Sequence, residues 1–165
     1  MKRAVVVVAA AMMLGGGAPR AQQPETSRDP FNGTWRLNVE KTRAMSGGVS
    51  PVSEVTTFRI GADNVQHIHV EAQSQPGAPV VASTYATKYN DATWVPYTNA
   101  GTGKPTYVVT IKVDDRTHYR LARDVNGAAL NVLMRRLSDD RKSYQSYGMT
   151  TDGKVTVWRY FDRVD

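Results

Sequence analysis

The run His67-Ile68-His69-Val70-Glu71 concentrates the side chains best suited to chemistry. On an extended strand, residues two apart share a face, so His67, His69 and Glu71 point the same way, about 7 Å apart at each step. The remaining histidine, His118, lies on a later run. Imidazoles with a carboxylate can ligate zinc or another divalent ion, the set here being His67, His69 and Glu71. An imidazole in an apolar pocket can instead serve as a general base near neutral pH, which makes His67, His69 and His118 the catalytic candidates. Plain solvent exposure is the third reading. Ile68, Val70 and Ala72 form the more apolar face of this run, and burying that face sends both histidines outward.

Tyrosine and arginine form the second constellation. The eight tyrosines are Tyr85, Tyr89, Tyr97, Tyr107, Tyr119, Tyr144, Tyr147 and Tyr160. With Trp94 and Trp158 they can give a cavity flat apolar walls and a few hydroxyl donors, which suits a small hydrophobic or aromatic molecule. Tyr is also a good strand former at half-buried positions. The ligand-contact candidates are Tyr85, Tyr89, Tyr107, Tyr119 and Tyr144. Arg120 shares a face with His118, and Arg136 shares one with Met134 and Val132. An arginine among apolar neighbours can pair with a ligand carboxylate, or with an Asp on the outer wall.

Several chemistries find no support. The chain has no cysteine, which removes thiol nucleophiles, Cys-rich zinc sites and iron–sulfur clusters. It has no Gly-x-Ser-x-Gly, phosphate loop or dinucleotide fingerprint, and no cofactor is expected. Gly101-Thr102-Gly103-Lys104 lacks the spacing and the following helix of a phosphate loop, and reads as a flexible lid at the mouth of the fold.

These groups sit in a chain of 165 residues, enough for one domain. Lys2 and Arg3 precede an apolar run from Ala4 to Leu14, and small residues follow to Ala21. That is the grammar of a secretory signal with cleavage after Ala21. The run is too short to span a bilayer, which takes about 20 residues, so no stable membrane insertion is expected after cleavage. No lipoprotein-anchoring cysteine follows, and a periplasmic or secreted location is expected. Residues 22–30 are polar and read as a disordered lead-in. Loss of Lys2, Arg3 and Arg20 leaves 18 Lys and Arg against 15 Asp and Glu. No clustered basic face remains, so nucleic acid is not expected as a partner. Oligomeric state is not legible.

From residue 31 onward the dominant signal is short alternating runs punctuated by Gly, Pro, Asn and Asp. Strands are expected at 33–40, 55–60, 65–73, 80–89, 93–97, 106–113, 117–123, 129–137, 143–149 and 155–164, with a long loop or short helix at 41–50. Asn126-Gly127 and Asp152-Gly153 are tight hairpin turns. About ten strands at roughly 8–12-residue spacing, joined by short turns, predict an all-β, up-and-down antiparallel barrel over 31–165.

The opening Phe31-Asn32-Gly33-Thr34-Trp35-Arg36-Leu37-Asn38-Val39-Glu40-Lys41-Thr42 resembles that of a bacterial lipocalin-like family of the calycin superfamily. Arg136-Leu137-Ser138-Asp139-Asp140, Thr151-Asp152-Gly153-Lys154 and the terminal Phe161-Asp162-Arg163 add to the likeness. The resemblance implies a barrel with a central cavity, plugged at one end by Trp35 beneath an arginine of the last strand. Arg163 matches best and Arg159 second. It implies a carrier of a small hydrophobic or aromatic molecule. An enzyme on the same barrel is the alternative, an isomerase, lyase or hydrolase using His67, His69 or His118 with Tyr and Arg partners. A structural or interaction module of the cell envelope is the second alternative.

Overall fold

A computed structural model describes residues 29–98 and 104–165. The expected signal at 1–21, most of the lead-in and most of the expected lid at 101–104 lie outside the described residues. Ten strands form one antiparallel sheet: β1 Gly33–Leu37, β2 Ser53–Ile60, β3 Val65–Gln73, β4 Val81–Lys88, β5 Val95–Thr98, β6 Pro105–Asp114, β7 Thr117–Arg123, β8 Ala129–Leu137, β9 Ser143–Thr150 and β10 Val155–Arg163. Their order, β4-β3-β2-β1-β10-β9-β8-β7-β6-β5, is that of a meander whose two ends have joined through β1 and β10. The result is the all-β barrel that the turn spacing demanded, closed except for a seam between β4 and β5. Below the short β5, the seam is bridged by the pairing of Tyr89 with Thr110 and by a 2.9 Å hydrogen bond from the Thr87 hydroxyl to that of Thr110.

The first strand ends at Leu37 rather than at residue 40. Asn38 stops it by accepting the Lys41 amide at 2.9 Å, which caps a short helix α1, Val39–Met45. The Thr42 side chain is buried and accepts the Tyr160 amide, tying α1 to β10. No helix among the described residues is long and apolar enough to cross a membrane.

At one end the barrel is solid. Phe31, Trp35, Phe58, Tyr144 and Phe161 interlock there, with Trp35 5.1 Å from Tyr144 and Phe161 stacked on Tyr144 at 4.5 Å between centroids. Asp29 and Pro30, assigned to the lead-in from sequence, belong to this end. The Asp29 carboxylate accepts the Phe31 amide and pairs with Lys112 at 3.0 Å. Gly33 adopts φ +134°, and a Cβ there would lie 2.8 Å from the Arg163 guanidinium and 2.6 Å from the Asp165 carboxylate. That φ is strained for any residue with a Cβ, so the turn into the first strand favours glycine here. The opposite end carries α1 and the β3–β4, β7–β8 and β9–β10 hairpins.

Candidate functional site

Two layers of side chains fill the barrel, and they differ in how well their polar groups are satisfied. In the solid layer the Arg163 guanidinium lies 4.1 Å from the centroid of Trp35. It donates to the carbonyls of Asn32 (2.8 Å), Pro30 (2.5 Å) and Arg141 (3.1 Å). The indole Nε1 donates to the Phe31 carbonyl at 2.9 Å. Each donor at this plug has an acceptor.

His118 belongs to the same layer. It is wholly buried, 3.9 Å from the Phe31 ring centroid, with the Tyr89 hydroxyl 3.0 Å from Nε2. Burial, with Arg135 and Lys112 nearby, pushes its pKa down to about 3, so the ring is neutral at any ordinary pH. Burial likewise pushes the Tyr89 hydroxyl well above its usual range. Gln66 donates to that hydroxyl at 2.8 Å, which leaves the hydroxyl proton for the imidazole.

Above this layer lies a cavity of about 180 Å³. Val70, Leu133, Val157, Tyr144 and Phe161 supply its apolar wall, and Glu54, Arg120, Arg135, Ser146 and Arg159 its polar one. Glu54 and Arg159 form an ion pair. Arg135 has no carboxylate partner. It is 5% exposed, its Nη2 donates to the Tyr85 hydroxyl at 3.3 Å, and its Nη1 is buried with no partner at all. Its guanidinium sits 5.3 Å from the Phe58 centroid. Arg120 reaches the Asn131 side-chain oxygen at 3.4 Å and lies 5.6 Å from the Tyr97 centroid, with its Nε likewise unpartnered. Among the described residues, then, two cations without a carboxylate partner line one small cavity. Arg159 also lines an open groove of about 530 Å³ with Met45, Val49 and Trp158, and this groove shares Pro51, Ser74, Thr156 and Val157 with the cavity.

Among the sequence candidates, Tyr144 and Arg120 line the cavity, and Tyr85 touches it through Arg135. Tyr89 and His118 point inward but belong to the solid layer. His67, His69 and Glu71 lie on the outer face of β3, all exposed. There His69 contacts the Thr84 hydroxyl at 2.8 Å and Glu71 at 3.3 Å. Five strands separate β3 from β7 in the sheet, so these histidines do not converge with His118. No group of three His, Asp or Glu side chains able to hold a metal occurs among the described residues. Tyr107, Tyr119 and Arg136 also face outward, because β6, β7 and β8 bury Val108, His118 and Arg135 instead. Arg159 lies in the cavity rather than at the plug. Sequence reasoning missed Arg135, Glu54 and Arg159 as cavity residues. For Arg135 the usable signal is Leu133-x-Arg135-x-Leu137, an arginine between two leucines on one strand face.

No family model and no curated protein matches the sequence. The fold does have solved counterparts. A Schistosoma mansoni fatty acid binding protein in complex with arachidonic acid is 17% identical with a TM-score of 0.56, the match covering 82% of this chain and 97% of that one. Echinococcus granulosus fatty-acid-binding protein 1 is 11% identical with a TM-score of 0.56, covering 83% and 99%. Secretory abundant heat soluble protein 4 from Ramazzottius varieornatus is 10% identical with a TM-score of 0.54, covering 83% and 96%. At these identities the likeness is one of fold.

Proposed function

We propose that the chain is an exported, bacterial lipocalin-like binder of a small amphipathic acid, held with its carboxylate on Arg135 and Arg120 and its apolar body in the cavity. The observation that carries this reading is Arg135. A buried charge with no counter-ion costs several kcal/mol after relaxation, on the order of what an incoming counter-ion would recover. Arg135 is among the residues lining the cavity, and a guanidinium is matched in geometry to a carboxylate. The Schistosoma mansoni neighbour, solved in complex with arachidonic acid, supports the same chemical class.

The cavity sets the size. About 180 Å³ is close to the roughly 150 Å³ that accommodates benzene in an apolar core. A single ring or a short chain fits within it. A longer tail would run past Arg159 into the mouth groove between Met45, Val49 and Trp158. Export rests on the N-terminal sequence, and an intact mass of the protein recovered outside the cytoplasm, starting at Gln22, would establish it.

Calorimetric titration with benzoate, hexanoate and their neutral amides tests the binding reading. The acids bind more tightly than the amides, by about 2 kcal/mol or some 30-fold for a charge-assisted contact. Arg135→Met erases that difference. Equal affinity of acid and amide for the unmodified protein would overturn the assignment of Arg135.

A further inference from the structure

Arg120 and Arg135 are held by different partners, and the strands that carry them set their heads apart. In the pairing of β7 with β8, Arg120 stands opposite Leu133 and Arg135 opposite His118. The two positions are therefore diagonal neighbours, with Cα atoms about 7–8 Å apart. From there the side chains diverge. Arg135 crosses the barrel to the Tyr85 hydroxyl on β4 and the Phe58 ring on β2. Arg120 leans toward the mouth, to Asn131, which stands opposite Ala122 and nearer the β7–β8 hairpin, and to the Tyr97 ring on β5. Each keeps its own buried N–H without a partner, Nη1 of Arg135 and Nε of Arg120. Arg120 also lines a second pocket of about 270 Å³ with Tyr97, Thr106, Ala122, Leu130 and Asn131, a pocket that Arg135 does not line. Among the described residues Glu54 is the one carboxylate in the cavity lining, and Arg159 already holds it.

We propose that the ligand is a small dicarboxylic acid, with one carboxylate on Arg135 in the cavity and the second on Arg120 at the boundary with the outer pocket. This rests on the reading of the cavity as an acid-binding site and names the class of acid. A monoacid brings one negative charge, so with it bound one of the two guanidiniums is still without a counter-ion in a site largely removed from water. A second carboxylate compensates both cations and offsets the repulsion between two like charges lining one small space. Diverging heads are poorly placed to clamp a single carboxylate together, whereas two carboxylates joined by a ring or a short chain give each guanidinium its own partner. Leu133, opposite Arg120 and two residues from Arg135 on the same face of β8, supplies the apolar contact for the linking carbons.

Calorimetric titration of the full chain at neutral pH with two matched pairs tests this. Isophthalate is compared with 3-carbamoylbenzoate, its monoamide, and adipate with its own monoamide, so that shape is kept and one charge is removed. In at least one pair the diacid is expected to bind roughly tenfold or more tightly than the monoamide. Arg120→Met removes that advantage and keeps the preference for benzoate over benzamide, which Arg135 carries. Circular dichroism and the melting transition verify that the variant folds. A chain that prefers benzoate to benzamide but gains nothing from the second carboxylate in either pair retains the acid-binding reading and overturns this one. A chain that discriminates in none of these comparisons overturns both. A diacid advantage that survives Arg120→Met overturns the assignment of the second carboxylate. Phenyl phosphate places its charge on one group, and binding tighter than that of both diacids would overturn the division of the ligand's charge between two groups.

Discussion

Arg163 and Arg135 both lie over aromatic rings inside one barrel, yet their surroundings are opposite. Arg163 covers Trp35 and spends its donors on three backbone carbonyls at the closed end. Arg135 lies near Phe58, meets only the Tyr85 hydroxyl, and keeps a buried N–H without a partner beside a cavity. Donor satisfaction, rather than residue type or stacking on a ring, is what separates these two arginines. At the closed end the Trp35 plug is fully satisfied and Gln66 Oε1 is the buried polar atom left without a partner, whereas in the cavity layer Glu54 and Arg159 pair and the cations Arg120 and Arg135 each keep an unpartnered N–H.

The largest effect should come from attacking the closed end. Trp35→Ala removes a fully buried indole between Phe31 and Tyr144, and is expected to cost about 3–5 kcal/mol in a denaturant titration. Arg163→Ala leaves the carbonyls of Pro30, Asn32 and Arg141 short of a donor and should cost about 1–3 kcal/mol. Acid-over-amide preference in the folded fraction should stay unchanged in both. Loss of that preference on Arg163→Ala would erase the distinction between the two arginines.

Arg135→Met should move stability the other way. Replacing an unpaired buried guanidinium by an apolar side chain of similar length is expected to leave stability unchanged or to raise it, by up to about 4 kcal/mol. The same change removes discrimination between acid and amide. A melting temperature that falls sharply would mean that Arg135 already has a structural role equal to that of Arg163, and the contrast would collapse.

Acid tests the closed end from another direction. His118 has a folded pKa of about 3 against an ordinary value of 6.5, so the unfolded chain takes up a proton that the folded chain refuses. Stability is therefore full above about pH 6.5 and declines as pH falls toward 3, by about 2 kcal/mol between pH 7 and pH 5. Asp91, Asp114, Asp115, Asp140 and Asp152 have carboxyls held below their ordinary value by local hydrogen bonds, and they add their own losses only at lower pH. His118→Gln, which keeps an acceptor for the Tyr89 hydroxyl, should flatten the limb between pH 7 and pH 5. An unchanged limb would show that the ring is not held neutral.

How much of this was legible follows from where the pattern is unambiguous. The turns at Asn126-Gly127 and Asp152-Gly153, and the alternation of β6, place the strands because turn chemistry and period are local. Glycine at position 33 and tryptophan at position 35 mark the first strand because the last strand packs directly on it. The cavity is harder to read. On β8 both faces look apolar, Val132 and Met134 outward against Leu133 and Leu137 inward, so alternation does not decide whether Arg135 or Arg136 faces in. The apolar outer face of β6–β10 defeats the rule that one side of a barrel strand is polar, and makes Tyr107 and Tyr119 read as cavity residues. On β3 the outer face is polar, and the rule places His67 and His69 correctly in solvent.

Those two histidines give the smallest expected effect and the cleanest control on the interior. His69 touches Thr84 and Glu71 on an exposed face, where ion pairs are screened and contribute about 0–1 kcal/mol. His67 stands near Arg59 and Thr57 on the same surface. His67→Ala and His69→Ala, singly and together, should shift unfolding free energy by no more than about 0.5 kcal/mol. They should leave the binding of benzoate and hexanoate unaltered, because a wall of sheet separates them from the cavity. A marked loss of binding in the double variant would mean that the outer face of β3 takes part in function. The interior contrast between Arg163 and Arg135 would then describe only part of what this barrel does.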